Sequence, residues 1–196
     1  KEGVMMNPKV EVAFGLHISA DTPEGILTYK PGGILAAADR FVIQVNGKQS
    51  HGSQPWASID PIVTSAQIIN GIQTIISRQT ELTKEGAVIT VGMINSGIRN
   101  NIIPESAEMI GTIRTLDPQM QDKIHADLIR TATKIGESMD AQVTVEIERG
   151  VPVTFNDPAL TTKAVNWLNR SLGPEHVQLQ RAITGAEDFS FFAEKV

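Results

Sequence analysis

The stretch RFVIQVNG at residues 40–47 alternates apolar and polar side chains and ends in an Asn-Gly pair. Alternation with a period of two is typical of a strand with one buried face, and Asn-Gly favours a tight turn. Similar runs of strand-forming residues follow at 87–94, 107–116 and 142–148. We therefore predict four strands in the middle of the chain.

Two helices are predicted between these strands, and each begins at an Asp-Pro pair. Asp60-Pro61 and Asp117-Pro118 combine a capping carboxylate with a residue suited to the first helical turn. The first helix is expected to end near Arg78. Apolar residues recur at a spacing of three or four and predict one buried stripe per helix. The stripes are Ile62, Ala66, Ile69, Ile72 and Ile76 in the first helix, and Met120, Ile124, Leu128, Ala132, Ile135 and Met139 in the second.

The resulting order is strand, helix, strand, strand, helix, strand. This order is typical of a ferredoxin-like βαββαβ sandwich, with both helices on one face of a four-stranded antiparallel sheet. We place it at residues 38–150 and interpret residues 1–37 and 151–196 as pieces of a second, incomplete domain into which it is inserted. The predicted fold class is α/β with an α+β insert.

The flanks carry weaker signals. The apolar residues 10–16 predict a buried strand that ends at His17, and the Pro- and Gly-rich residues 19–33 predict a long irregular connection. Asp157-Pro158 should begin a third helix, and residues 177–179 a short strand. Both ends of the sequence look like cuts through a larger protein.

Composition excludes several classes of protein. The chain has 196 residues, is 41% hydrophobic and has a formal net charge of −5, so we expect a folded protein that does not bind nucleic acid. It has no cysteine, which excludes disulfides and thiolate metal ligands within these residues. No run reaches the ~18 apolar residues of a membrane span. We expect a cytoplasmic protein, although a signal peptide upstream stays open.

Histidines are the first candidates for chemistry, and the sequence has four of them. His17 follows a predicted strand, where α/β proteins place reactive groups. His51 lies between small residues in a loop and could present its ring to a ligand. His125, on the polar face of the second helix, and His176, in a turn, are interpreted as surface residues.

Other polar candidates have structural alternatives. Asn101 lies in a loop where asparagine also suits a tight turn, and Arg114 interrupts an apolar strand. An arginine there is either an outward-facing sheet residue or a ligand for a carboxylate. Glu187 and Asp188 sit among small residues and could simply precede a helix. Without further comparison these residues indicate only an α/β protein with an inserted domain.

Four motifs together resemble the M20 metallopeptidase family. They are GLH at residues 15–17, KQSHG at 48–52, RNNIIP at 99–104 and GAEDFS at 185–190, and residues 31–41 (PGGILAAADRF) add to them. The sequence is most similar to the amidohydrolase branch, which includes hippurate hydrolases, N-acyl-amino-acid aminoacylases and auxin-conjugate hydrolases. Each motif is weak alone, but the four occur in order around the predicted insert.

The resemblance implies a zinc-peptidase-like catalytic domain, represented here by residues 1–37 and 151–196, with a lid and dimerisation domain at 38–150. It implies two divalent metal ions per subunit, zinc or alternatively manganese. His17 matches a metal ligand, and His51 matches the lid histidine that reaches the partner subunit's active site and holds the oxyanion. Asn101 and Arg114 match substrate-binding residues, Arg114 for a carboxylate. Gly185 matches the pocket lining.

The implied activity is hydrolysis of the amide bond of N-acyl amino acids, or of related small amides and peptides, by a metal-activated water. The resemblance places the general base and the other metal ligands outside this chain, so the chain alone is expected to be inactive. It implies a homodimer formed through the lid, without nucleic-acid or membrane partners. One alternative is a non-catalytic dimerisation or ligand-binding module. Another, an RNA-recognition-type βαββαβ domain, is disfavoured by the charge and by the lack of strand aromatics.

Overall fold

The computed structural model describes residues 3–196 and divides into two compact units. The central unit is Ala38–Gly150. The flanking unit combines the described residues up to Ala37 with Val151–Val196.

The strands and helices are numbered in chain order. The strands are β1 (Leu27–Tyr29), β2 (Gly32–Leu35), β3 (Ala37–Asn46), β4 (Ser50–His51), β5 (Ala87–Ser96), β6 (Ile102–Ile103), β7 (Ser106–Thr115), β8 (Gln142–Val151), β9 (Thr154–Asn156) and β10 (Val177–Leu179). The α-helices are α1 (Pro61–Thr74), α2 (Pro118–Ser138), α3 (Pro158–Leu172) and α4 (Ser190–Ala193). A wider π-type turn, Ile75–Gln79, extends α1, and Pro55–Ala57 and Pro174–His176 form 3₁₀ turns. No helix within residues 3–196 has the length and apolar character needed to cross a membrane.

The central unit has the predicted βαββαβ order. Its four long strands lie in the order β5-β7-β3-β8, and β5 pairs antiparallel with β7. The strands on either side of α1, β3 and β5, are therefore separated by β7, as in a split βαβ motif. Asp60 and Asp117 cap α1 and α2 by accepting hydrogen bonds from backbone N–H groups of the first turn, as the Asp-Pro pairs predict.

The hydrophobic core lies in the central unit. Buried side chains from three strands meet those of both helices, which accounts for the alternation along β3. The largest fully buried members are Phe41, Ile43, Ile68, Ile72, Ile75, Met109, Ile113, Ile124 and Leu128. The predicted stripe of α2 is largely confirmed, since Ile124, Leu128 and Ala132 are buried.

The predicted stripe of α1 is wrong in part. Ile62 and Ala66 are exposed, whereas Thr64 and Ser65 are fully buried. The helix has isoleucines around much of its circumference, so spacing alone fits two faces. Burial of Ile68 and Ile75 beside Ile72 turns the helix away from the predicted face.

His125 is not the surface residue that its sequence neighbours suggested. Its side chain is 10% exposed, and its Nε2 lies 2.7 Å from Asp39 Oδ2. Gln121 Nε2 also donates to Asp39 Oδ2 at 2.7 Å, and the Gly150 N–H donates to Oδ1 at 3.3 Å. This buried cluster joins β3, α2 and β8.

The flanking unit consists of short paired segments and α3. β1 pairs parallel with β10, and β2 pairs antiparallel with β9. The predicted strand at residues 10–16 does not form, because no strand of the described chain pairs with it and Phe14 and Leu16 are 64% and 81% exposed. The connection predicted for residues 19–33 is irregular only in its first part, since it contains β1 and the start of β2. The third helix and the strand at 177–179 are confirmed.

Candidate functional site

In the central unit, a two-stranded sheet brings His51 next to Asn101. β4 pairs antiparallel with β6, so that His51 stands opposite Ile102, and the Gly52 N–H donates to the Asn101 carbonyl oxygen at 2.8 Å. A Cβ at residue 52 would lie 3.2 Å from that oxygen, which is tighter than ordinary contact, so glycine permits the close approach. Two candidates fifty positions apart thus become neighbours.

The His51 imidazole is held by Ser53. The Ser53 N–H donates to His51 Nδ1 at 3.2 Å, and Ser53 Oγ lies 2.7 Å from the same nitrogen. Because Nδ1 accepts the backbone N–H, the ring proton of the neutral imidazole resides on Nε2. His51 is exposed, so Nε2–H is available as a hydrogen-bond donor.

Arg114 lies near the end of β7, opposite Val88 of β5. Its neighbours Ile113 and Thr115 are fully buried, so alternation places Arg114 on the other face of the sheet, away from the helices. It is half-buried, and its guanidinium makes no ion pair or hydrogen bond within residues 3–196. An outward-facing arginine with unused donors can bind a carboxylate in a forked arrangement.

In the flanking unit, His17 contacts Glu187. His17 Nδ1 lies 2.7 Å from Glu187 Oε2, and the two residues are 170 positions apart. The His17 side chain is 72% exposed, whereas that of Glu187 is 24% exposed. A carboxylate that accepts from Nδ1–H leaves Nε2 of a neutral imidazole as the nitrogen that can bind a metal.

Hydrogen bonds at Glu187 favour its ionised form. The pKa of Glu187 is lowered by hydrogen bonds with the Asp188 side chain, with the Phe189 N–H and with His17. Its backbone carbonyl accepts from the hydroxyl of Ser190 at 2.8 Å, and Ser190 is fully buried. The carboxylate that faces His17 is therefore anchored through its own backbone.

Gly185 lies two residues before Glu187, next to the end of β2. Its carbonyl oxygen accepts a hydrogen bond from the Ala36 N–H at 2.8 Å, and the residue is exposed. A Cβ there would make only ordinary contacts with Ile183 and Leu35. Sterics within the described residues therefore do not require glycine, and its assignment to a pocket lining stays a prediction.

His17 fits one ligand position of a metal site. Its ring is exposed on one side and bound by a carboxylate on the other, which is the usual state of a ligating histidine. Within residues 3–196, however, no three His, Asp or Glu side chains are grouped closely enough to hold a metal ion. The described chain therefore offers one ligand and not a complete site.

Sequence reasoning missed the partners of both histidines. Ser53 is two positions after His51, and this i, i+2 spacing allows a local hydrogen bond to the ring. Glu187 is part of the GAEDFS motif, but nothing in the sequence indicates that it contacts a residue near the other end of the chain. That contact requires the tertiary structure.

The central unit is thus a ferredoxin-like α+β domain with an exposed histidine donor, and the flanking unit carries a histidine held by a carboxylate. The family model of a peptidase dimerisation domain matches residues 37–140, more than half of the chain. The chain belongs to the M20 peptidase family, as the motifs predicted.

Similar proteins agree with this assignment. The chain is 38% identical to thermostable carboxypeptidase 2 of Saccharolobus solfataricus over 95% of its own length and 47% of that protein. It is 33% identical to an N-acetylcysteine deacetylase of Bacillus subtilis over 95% of its own length and 48% of that protein. A solved Bacillus subtilis structure, described as a dinuclear metal-binding peptidase from the M20 family, covers 92% of the chain at 30% identity, with a TM-score of 0.73, and 44% of that protein is matched. The chain therefore spans about half the length of these relatives.

Proposed function

We propose that this chain is part of a metal-dependent amidohydrolase that cleaves N-acyl amino acids. The observation that carries the proposal is the placement of His51, with its Nε2–H donor exposed, beside Asn101 in the matched dimerisation domain. The names of the relatives, a carboxypeptidase and a deacetylase, support an amide hydrolase. A relative described as a dinuclear metal-binding peptidase supports divalent metals, and we propose zinc, with manganese as the alternative.

Each candidate residue has a chemical role in this reaction. The Arg114 guanidinium binds the substrate carboxylate, and the Asn101 side chain donates to the amide being cleaved. His51 Nε2–H donates to the oxyanion of the tetrahedral intermediate, where negative charge develops. His17 Nε2 binds metal, and Gly185 lines the acyl pocket. When bound, the metal supplies Lewis-acid polarisation of the carbonyl and lowers the pKa of a bound water.

The proposal is tested on the full encoded protein, loaded with zinc or manganese and assayed on a panel of N-acyl amino acids. His51→Ala should lower kcat/KM by about 100-fold or more, the usual effect of losing one oxyanion donor. Arg114→Ala should raise KM for substrates with a free carboxylate. It should have little effect on KM for analogues in which that carboxylate is replaced by a carboxamide. Metal content should be unchanged in both variants.

His176→Ala is the matched control, because this exposed histidine lies in a 3₁₀ turn and its ring contacts the Gly25 carbonyl. Its kcat/KM should equal that of the wild type. Loss of metal from the His51 variant, or activity equal to wild type, contradicts the assigned role.

We also propose that the chain forms a homodimer, which the match to a dimerisation domain supports. Light scattering of this chain should give twice its mass of 21.2 kDa. A monomer over the micromolar range contradicts the dimer. If this chain is a dimer but the full encoded protein, loaded with metal, hydrolyses no N-acyl amino acid, the result would instead indicate a dimerisation or ligand-binding module without catalysis.

A further inference from the structure

We infer that Glu187 is a positioning residue for metal binding, because it holds the His17 imidazole in the tautomer and orientation that leave Nε2 free. The inference rests on the proposed role of His17 as a metal ligand. It assigns a function to Glu187, for which the proposed function names no role. Three features of the flanking unit support it.

The first feature is the geometry of the pair. The 2.7 Å separation between His17 Nδ1 and Glu187 Oε2 is a short, charge-assisted hydrogen bond. An ionised carboxylate can only accept, so the imidazole must donate from Nδ1. In the neutral ring the lone pair then lies on Nε2, the nitrogen on the opposite side of the ring.

The second feature is the way the carboxylate is held. Oε2 faces His17 while Oε1 accepts from the Phe189 N–H at 3.4 Å. The Glu187 carbonyl accepts from the hydroxyls of Ser190 and Thr154, both of which are buried. A carboxylate with both oxygens occupied and its backbone anchored has little freedom to turn away from the imidazole.

The third feature is the close approach of the two segments. A Cβ at Gly15 would lie 3.1–3.2 Å from three atoms of the Phe189 ring, closer than most such contacts. The ring therefore packs against the backbone two residues before His17. Glycine at this position lets the His17 segment lie close enough to Glu187 for the hydrogen bond.

The arrangement also matches the exposure of the two side chains. The Glu187 side chain is 24% exposed, whereas the His17 side chain is 72% exposed. A surface ion pair without a further role would not require buried hydroxyl groups that hold the backbone of its acidic residue. A ligating histidine does need such an anchor, because the carboxylate behind it fixes its direction and raises its basicity.

The first experiment observes the imidazole without metal. Nitrogen-15 NMR of the four histidines in this 196-residue chain gives the protonation of each ring nitrogen, and His17→Asn assigns the His17 signals. The wild type should show Nδ1–H for His17 at neutral ring charge. Glu187→Ala should abolish the dominance of this tautomer, and the signals of His51, His125 and His176 should not move.

Glu194→Ala is the matched control. Glu194 is an exposed acid on the same segment, and within residues 3–196 its side chain makes no hydrogen bond or ion pair with His17. Its replacement by alanine therefore removes the same charge without removing a contact to His17. It should leave the His17 tautomer unchanged. Glu187→Gln retains an acceptor oxygen and should give an intermediate result. Circular dichroism of all variants checks that the fold is retained.

The second experiment measures zinc affinity of the full encoded protein by competition with a chelating dye. Glu187→Ala should weaken binding about 10- to 100-fold, the usual effect of removing the group behind a ligating histidine. Glu194→Ala should bind as tightly as the wild type. Both results, together with the tautomer change, support the inference.

Two outcomes overturn it. One is a His17 tautomer that is the same in the wild type and in Glu187→Ala, and the other is a changed tautomer with zinc affinity equal to wild type. Failure of the proposed function looks different. In that case the wild type binds zinc, and the NMR and zinc-affinity experiments both give the expected results, but no N-acyl amino acid is hydrolysed.

Discussion

The central unit contains the cluster of buried hydrophobic side chains, whereas most large apolar side chains of the flanking unit are exposed or half-buried. Every buried member of the hydrophobic core cluster lies between Phe41 and Ala141. In the flanking unit, Leu16, Ile18 and Leu179 are 81%, 90% and 69% exposed, and α3 has no buried residue. Within residues 3–196, hydrophobic packing is therefore concentrated in the central unit.

The two units also differ in topology. The central unit is one continuous segment whose ten-residue strands can cover two helices. The flanking unit joins two distant segments through strands of three or four residues, which bury little surface. Candidate site residues occur in both units, and within the described residues His17 is held by its hydrogen bond with Glu187. Five predictions test this comparison.

The largest effect is expected for phenylalanine truncations that compare the two units. Phe41→Ala should lower the free energy of unfolding by about 3–5 kcal/mol, because the side chain is fully buried in the core. Phe191→Ala, at a side chain 47% exposed in the flanking unit, should cost less than about 1 kcal/mol. Urea unfolding followed by circular dichroism measures both. Equal losses would show that the units are stabilised alike.

The next largest effect concerns the buried polar cluster. Asp39→Ala should cost about 3 kcal/mol, because it leaves His125 and Gln121 buried without their acceptor. Asp122→Ala is the control, since that side chain is 66% exposed and pairs with Arg149 at the surface, and it should cost less than about 1 kcal/mol. A similar loss in both variants would contradict a special role for burial.

The same cluster predicts a pH dependence. Burial alone would raise the pKa of Asp39, but hydrogen bonds from His125 and Gln121, the charge of His125 and the Gly150 N–H outweigh it and lower the pKa. Since the pKa is lower in the folded than in the unfolded state, the stabilisation is complete above about pH 4 and is lost as the pH falls through the folded value. Urea unfolding between about pH 6 and pH 2 should give free energies of unfolding for the wild type and Asp39→Ala that become equal at the lowest pH. A difference in the free energy of unfolding between the two proteins that does not change with pH would contradict a lowered pKa of Asp39 in the folded state.

A smaller effect is expected where α1 packs on α2. A Cβ at Gly71 would collide with Ile135 Cδ1, whereas at Gly86 it would lie 3.6 Å from Leu116 in ordinary contact. Gly71→Ala should cost about 1 kcal/mol, because helix propensity offsets part of the overpacking. Gly86→Ala should change stability by less than about 1 kcal/mol, in the stabilising direction if at all. Thermal unfolding measures the stability of both variants. A Gly71→Ala variant more stable than the wild type would show that α1 and α2 can move apart enough to accommodate the added methyl group.

The smallest effect is expected at an exposed ion pair on α2. Lys134 Nζ and Glu137 Oε2 are 2.7 Å apart, but their side chains are 70% and 61% exposed. Lys134→Ala should change the free energy of unfolding by less than about 0.5 kcal/mol. A larger loss in urea unfolding would mean that surface charge contributes to the central unit as strongly as its core.

Much of the central unit could be predicted from sequence, because its signals are local. Alternation in β3 and the Asp-Pro caps of both helices predict element type and position. The face of α1 could not be predicted, because isoleucines occur on several sides and packing selected Ile68 and Ile75. The apolar residues near Phe14 satisfied the strand pattern, but a strand also needs a partner, and the described chain pairs none with them.

The sequence by itself determined the order of elements in the central unit and the motifs that identify the family. Both depend on residues close together in the chain. Only the tertiary structure decided that His125 lies against Asp39, that Asn101 neighbours His51, and that Glu187 holds His17. These contacts join residues 50 to 170 positions apart, and no local pattern encodes them because they form only once strands and turns have packed.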